Sequence, residues 1–453
     1  MRSGRSFLAL LVIALGLGAY IYFVEAPKNP DAADAKAKVF PESTAVISEV
    51  RIHASSGQST TVTRDGSSWK ITAPAALPAD TAQVASLVST LESLEIEKVI
   101  EDNPAAVAPF GLDPPRFTIA FTREGDATLH QLDVGNKNPT GADLYARVDG
   151  EPKLFLIGGY LESSLDRSTF DLRDKTALAF DRDAADALTL VATGVPERDL
   201  RRTDTGWRLT APVQARADDS AVDSLMGRFA QLQMKSVVAE DGTADLKTYG
   251  LDTPEATVTV GAGSARAELA LGKTLEDGTT VYARDLSRPQ VFTVEASIVE
   301  DVKRNTDALR AKDLFAFRSF NAVGLDLTWN GQTASFVKKA PPATGDASPG
   351  PEVWSRTAPG AGDVDQTKMN DMLSSLSALR AESFTDKPLT TGDQLVVVAR
   401  YGDAASPTEE RMTFRKSGEA VQAIIPGEPG AALVGAASFD SIVSAIKELA
   451  GFK

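Results

Sequence analysis

Behind each of three tryptophans the apolar positions step in one rhythm. Counted from Trp69, Trp207 and Trp354, position +15 holds Val84, Val222 and Met369, and +18 holds Leu87, Leu225 and Met372. Position +22 holds Leu91, Phe229 and Leu376, and +25 holds Leu94, Leu232 and Leu379. Steps of three, four and three place these residues on one face of an α-helix, predicted over 80 to about 98 in the first instance. An aspartate at +11 (Asp80, Asp218, Asp365) stands where an N-cap carboxylate accepts from free backbone N–H groups. Gln83 takes the capping-box position after Asp80. Shorter stretches alternate with period two, as strands do. In the first instance these are 49–52, 60–63, a strand starting at Trp69, 117–121, 129–134, 144–148 and 154–157. Asp65-Gly66 marks a turn before Trp69, and a second helix is predicted over 161–167. The pattern predicts an α+β domain: an antiparallel meander with helices on one face.

The tryptophans open a repeated hexapeptide. It reads Trp69-Lys70-Ile71-Thr72-Ala73-Pro74, then Trp207-Arg208-Leu209-Thr210-Ala211-Pro212, then Trp354-Ser355-Arg356-Thr357-Ala358-Pro359. The spacings are 138 and 147 positions (207 − 69 and 354 − 207), the length of a whole domain and not of a solenoid unit. The first two instances share more. Phe110-Gly111-Leu112-Asp113-Pro114 matches Tyr249-Gly250-Leu251-Asp252-Thr253-Pro254, and Gly135 and Lys137 echo Gly272-Lys273. Tyr145-Ala146-Arg147 matches Tyr282-Ala283-Arg284, and Leu172-Arg173-Asp174-Lys175 matches Leu309-Arg310-Ala311-Lys312. The third instance keeps the Trp and the helix, lacks the Gly-Leu-Asp and Tyr-Ala-Arg blocks, and carries a Pro/Gly/Ala-rich insert at 340–351 that reads as a surface loop.

The expected organisation is three tandem copies of one domain: 46–180, 181–317 and a divergent 318–453. Residues 25–45 form a polar linker. Residues 1–24 form a cytoplasmic tip and a transmembrane signal-anchor, because Arg2 and Arg5 precede an apolar run over 7–24. The positive flank orients the C-terminal domains outward, into the periplasm or outside the cell from a bacterial inner membrane. A cleaved signal peptide is the rival reading, though Pro27 is a poor residue after a cut at Ala26.

Length and composition fit this plan. The chain has 453 residues, 43% hydrophobic and 24% charged, enough for three folded domains. A net charge of −15 without a basic stripe argues against nucleic-acid binding and against lying flat on anionic lipid. The absence of cysteine excludes disulfides, thiol nucleophiles and Cys-ligated zinc.

No chemistry stands out. His53 and His130 fall in different strands and have no counterparts in the second copy; no nucleophile elbow, HExxH, P-loop or calcium loop occurs. No catalytic, cofactor-binding or metal-binding residue, and no cofactor, is therefore assigned. The repeated residues read as structural. The tryptophans anchor cores. In the Gly-Leu-Asp block, Gly supplies a left-handed turn and Asp113 or Asp252 closes an Asx-turn. Tyr145-Ala146-Arg147 alternates in–out–in along a strand.

The anchor ending Tyr20-Ile21-Tyr22-Phe23-Val24-Glu25, the Trp-Lys-Ile-Thr-Ala-Pro signature with its Asp-capped helix, and Phe-Gly-Leu-Asp-Pro together resemble the bacterial family called domain of unknown function 4340. The resemblance implies no activity and transfers no functional residue. The company these genes keep implies an exported accessory or scaffold subunit, non-enzymatic, of a cell-envelope complex, with an ABC-type transporter subunit as membrane partner. Alternatives are a carboxylate-dependent envelope hydrolase, which would show paired acids in a deep cleft, and a passive periplasmic spacer.

Overall fold

The computed structural model describes residues 36–340 and 351–452. The expected anchor (7–24) lies outside the described residues, as does nearly all of the 340–351 insert. Among the described residues no helix is long and apolar enough to cross a membrane. The chain divides into two compact units, 1–175 and 176–453.

The first unit is built on one antiparallel sheet. Its strands are β1 (Ile47–His53), β2 (Ser59–Asp65), β3 (Ser68–Ala73), β4 (Leu77–Pro78), β5 (Lys98–Glu101), β6 (Phe117–Arg123), β7 (Asp126–Lys137), β8 (Asp143–Val148) and β9 (Leu154–Gly158). They lie in the order β4-β3-β2-β1-β6-β7-β8-β9-β5. The long helix α1 (Thr81–Ser93) sits between β4 and β5 in sequence; the short helices α2 (Glu162–Leu165) and α3 (Thr169–Leu172) follow β9. Asp80 caps α1 by accepting from the N–H groups of Ala82 and Gln83. Val84, Leu87 and Leu91 of α1 bury against Val50, Ile52, Val62, Trp69 and Ile71 in one core.

The second unit repeats the sheet twice. The second copy comprises β10 (Ala187–Ala192), β11 (Val195–Thr203), β12 (Gly206–Ala211), β13 (Ala215–Arg216), α4 (Asp219–Ala230), β14 (Ser236–Ala239), β15 (Ala256–Ala262), β16 (Ala265–Thr274), β17 (Thr280–Asp285), β18 (Val291–Glu295), α5 (Ser297–Val302) and α6 (Thr306–Leu309). The third comprises β19 (Ala322–Trp329), β20 (Gln332–Lys339), β21 (Val353–Ala358), β22 (Gly362–Asp363), α7 (Gln366–Ser377), β23 (Ser383–Thr385), β24 (Asp393–Tyr401), β25 (Thr408–Ser417), β26 (Ala420–Ile424), β27 (Ala431–Val434) and α8 (Ala436–Ala450). Strand order is the same in all three sheets. Asp218 and Asp365 cap α4 and α7 as Asp80 caps α1.

Three nine-stranded antiparallel sheets with few helices make a mainly β protein, more strand-rich than the α+β balance the sequence suggests. Part of the difference is local. The helix predicted to run to about 98 stops at Ser93, because Leu94 adopts extended backbone (φ −64°, ψ 125°). Leu94, Leu232 and Leu379 are still buried, at 2%, 4% and 5% exposure, one residue or more past their helices. The helix predicted over 161–167 is only the four-residue α2, preceded by a single turn at Gly159–Leu161; α3 follows beyond the predicted span.

Each copy is also tied to the chain that enters it. The Leu94 carbonyl accepts from Val39, that of Leu232 from Ala177, and that of Leu379 from Leu314. Antiparallel bridges pair Lys38 with Glu95, Thr176 with Gln233 and Asp313 with Arg380. The described end of the segment expected to be linker, 36–40, thus joins the fold, and Phe40 is buried against Phe121 at 4.9 Å between ring centroids.

Candidate functional site

The repeated Gly-Leu-Asp block lies at one end of its sheet. A short turn closes through backbone bonds, Gly111 N–H to the Ala108 carbonyl and Gly250 N–H to that of Lys247. Gly111 and Gly250 hold φ of 72° and 69°, the left-handed conformation expected of them. The aspartates differ from expectation. Among the described hydrogen bonds no backbone N–H donates to the Asp113 or Asp252 carboxylate, and Asp252 accepts only from the Thr253 hydroxyl at 3.3 Å. The turn is made by glycine and main chain, without an Asx-turn. Leu112 and Leu251 bury beneath it.

The glycine of β7 and β16 explains the second echo. A Cβ at Gly135 would fall against the carbonyl oxygen of Phe110, and one at Gly272 against that of Tyr249, far inside van der Waals contact. In the second copy the neighbouring Lys273 N–H donates to this same Tyr249 carbonyl at 2.9 Å. Gly272→Ala is expected to cost about 1–3 kcal/mol, because backbone and not a flexible side chain must move. Urea denaturation against Gly360→Ala, where nothing lies within 4 Å, measures the difference. Equal midpoints would refute the close-approach account.

The Tyr-Ala-Arg triplets face the other way from the expected in–out–in. Ala146 and Ala283 are fully buried in the main core, while Tyr145, Arg147, Tyr282 and Arg284 are half-buried on the opposite face. There Tyr145 packs on Phe110 (4.8 Å) and Tyr282 on Tyr249 (4.9 Å), and Arg147 pairs with Asp133 at 3.0 Å. Both blocks therefore belong to one construction that buttresses the far side of the sheet.

In the second copy this construction borders an open cleft of about 650 Å³ lined by Asp252, Glu255, Lys247, Lys273 and Lys303. Two of its lysines and Glu255 are engaged. Lys303 pairs with Glu255 at 2.6 Å, and that hydrogen bond raises the Lys303 ammonium above the usual lysine range. The Lys273 ammonium donates to the Lys247 and Thr248 carbonyls. In the first copy the same two elements are clasped with the signs exchanged, Arg116 on Glu162. A pair that survives charge reversal is a clasp between the strand start and the following helix, with little claim to acid–base chemistry.

The histidines stay apart in role. His53 Nδ1 lies 2.8 Å from the Ser59 hydroxyl on the neighbouring strand, and His130 stacks on Phe121 at 5.1 Å. Among the described residues no group of three or more His, Asp or Glu is placed to hold a metal ion. Trp69, Trp207 and Trp354 are 6%, 4% and 2% exposed, in cores and not on a ligand platform.

The most elaborate polar site in the second unit joins its two sheets. Glu428, in the β26–β27 turn, has a side chain only 5% exposed. It accepts from Arg310 at 2.9 Å and from both the backbone and the Nε of Arg216, at 3.1 and 3.2 Å. The Arg310 guanidinium, 6% exposed, also stacks 3.5 Å from the Phe384 ring centroid of β23. Asp307 accepts from the outward Phe384 N–H at 3.2 Å. Arg310 is the arginine of the second Leu-Arg-x-Lys, so this instance of the motif couples the second copy to the third. No local pattern marks Glu428, which stands 118 positions from Arg310.

The model of a family described as domain of unknown function (DUF4340) matches residues 69–206 and 207–395, the two matches starting at Trp69 and Trp207. No curated protein and no solved structure matches the chain.

Proposed function

The chain belongs to the domain of unknown function (DUF4340) family, and from that premise we propose that it is a non-catalytic accessory or scaffold subunit of a bacterial cell-envelope complex. The proposal includes export behind an N-terminal anchor at 7–24 and association with an integral membrane protein such as an ABC-type transporter subunit. One observation supports it: the recurring tryptophans, aspartate caps, glycines and Arg310 are taken up in cores, caps, turns and the coupling segment, and of the recurring residues that border the second copy's cleft Lys273 is held by main-chain carbonyls. Copies joined in series hold several surfaces at high effective concentration for one partner. An enzyme needs only one competent copy.

Gentle detergent extraction and crosslinking in intact cells test the reading. The expected result is recovery of the full chain with an integral membrane transporter subunit. Repeated isolation of the protein alone, with no membrane partner crosslinked, would end it.

A further inference from the structure

The joint inside the second unit shows how one copy receives an arginine-bearing segment. Its receiving face has three parts: an acid in the turn before the last meander strand (Glu428), a residue of the edge strand (Phe384), and that residue's outward N–H. The same face exists in the first copy. Glu151-Pro152 stands three residues before β9, as Glu428-Pro429 stands three before β27. Val99 is the residue thirty beyond Trp69, as Phe384 is thirty beyond Trp354. The register agrees, since Glu97 N–H donates to Leu156 in the first copy as Glu382 N–H donates to Leu433 in the third. By that register the Val99 N–H also faces outward from the edge strand β5.

In the first copy no side chain pairs with this face among the described residues. Glu151 is exposed and makes no ion pair among the described residues. Val99 and Ile100 are 43% and 39% exposed on an edge strand, where open backbone invites pairing. The chain supplies no arginine of its own there. The residue three before the entering bridge is Arg173 in the second copy and Arg310 in the third, but Ala35 in the first. Arg173 and Arg310 are themselves each 5% exposed and bridged to Ala79 and Ala217, so neither is available to a second molecule. The second copy carries Arg288 at the acidic position and uses it on the carbonyls of Thr176 and Ala177, so the acidic version belongs to the first and third copies alone.

We infer that the face formed by Glu151, Val99 and Ile100 docks a segment of a partner protein in which a short helical turn ends in a Leu-Arg pair, as α6 ends in Leu309-Arg310. The arginine would meet Glu151 and lie over Val99, and a side-chain acceptor in the turn would take the outward N–H, as Asp307 takes that of Phe384. The inference deepens the accessory-subunit reading and rests on it only for the existence of a partner.

The test uses the full chain in mild detergent and a labelled synthetic peptide with the sequence of residues 305–313, Asn-Thr-Asp-Ala-Leu-Arg-Ala-Lys-Asp. Fluorescence anisotropy should show saturable, salt-sensitive binding. Glu151→Lys, and separately replacement of the peptide's arginine by alanine, should each weaken it about tenfold or more. Combining Glu151→Lys with a peptide whose arginine is glutamate should restore binding to within a few-fold. Glu151 is exposed, so the variant folds, and circular dichroism checks this. Absence of saturable binding, or binding indifferent to Glu151→Lys, would overturn the proposal. Self-association of the full chain that Glu151→Lys abolishes would also overturn it, assigning the face to a second copy. The peptide result is independent of whether a transporter subunit co-purifies, so the two readings fail separately.

Discussion

Trp207→Ala is expected to lower the stability of the second copy by about 3–5 kcal/mol, the cost of losing a buried aromatic to a cavity. Trp207 is 4% exposed on β12, and Leu209, two residues on and therefore on the same face, is fully buried. The Trp207 backbone N–H donates to Asp219 at 2.7 Å, which pins the strand to the first turn of α4. The surroundings are therefore fixed from two sides and cannot easily collapse. The indole N–H of Trp207 is buried without a protein partner among the described residues, as is that of Trp354. Loss of the ring, not of a hydrogen bond, should dominate. Trp207→Phe should accordingly cost well under half as much as Trp207→Ala. Native-state hydrogen exchange of strands β10–β18 reads the effect within the second copy. A Trp207→Ala protein that exchanges like the parent would refute the core-anchor account of the tryptophan.

The sequence discloses the cores because burial is periodic. A residue at +15, +18 or +22 from each tryptophan has to share a helix face, and Val84, Leu225 and Leu376 all do so in buried positions. It discloses the glycine turn because φ near 70° leaves few other choices at Gly111 and Gly250. Period two, however, says which residues share a face and not which face is the core. That is why Tyr145-Ala146-Arg147 came out inverted: the small Ala146 is the inward residue, while the larger flanking pair buttresses the far side. Strands of two to four residues such as β4, β13 and β22 are too short to show alternation at all. The entering bridges of Lys38, Thr176 and Asp313 consist of one pair each. A bridge of a single pair leaves no periodic trace along the chain. The joint at Glu428 is the extreme case, since its partners lie 212 and 118 positions away and carry no shared local pattern.

That joint should behave as a lock whose removal separates two otherwise intact modules. Glu428→Ala strips the carboxylate from Arg310, whose side chain is 6% exposed, and from the partly exposed Arg216. A buried cation left without its partner costs about 3–5 kcal/mol. Stacking on Phe384 and the bond from Arg216 to the Asp313 carbonyl remain, but neither neutralises Arg310. In calorimetry the second and third copies of the parent chain should unfold in a single transition, and in Glu428→Ala they should split into two. Glu428→Gln keeps an acceptor and should fall between. The loss should change little with salt, because a pair this buried is poorly screened, unlike the exposed Lys368–Glu448 pair on the same copy. Pairing Glu428→Leu with Arg310→Met removes both charges and should recover most of the stability, since what a single substitution exposes is the uncompensated cation and not the absence of an attraction. If Glu428→Ala keeps one transition at the parent's temperature, the copies are coupled by apolar contact alone, and the arginine of Leu-Arg-x-Lys has no part in holding them together.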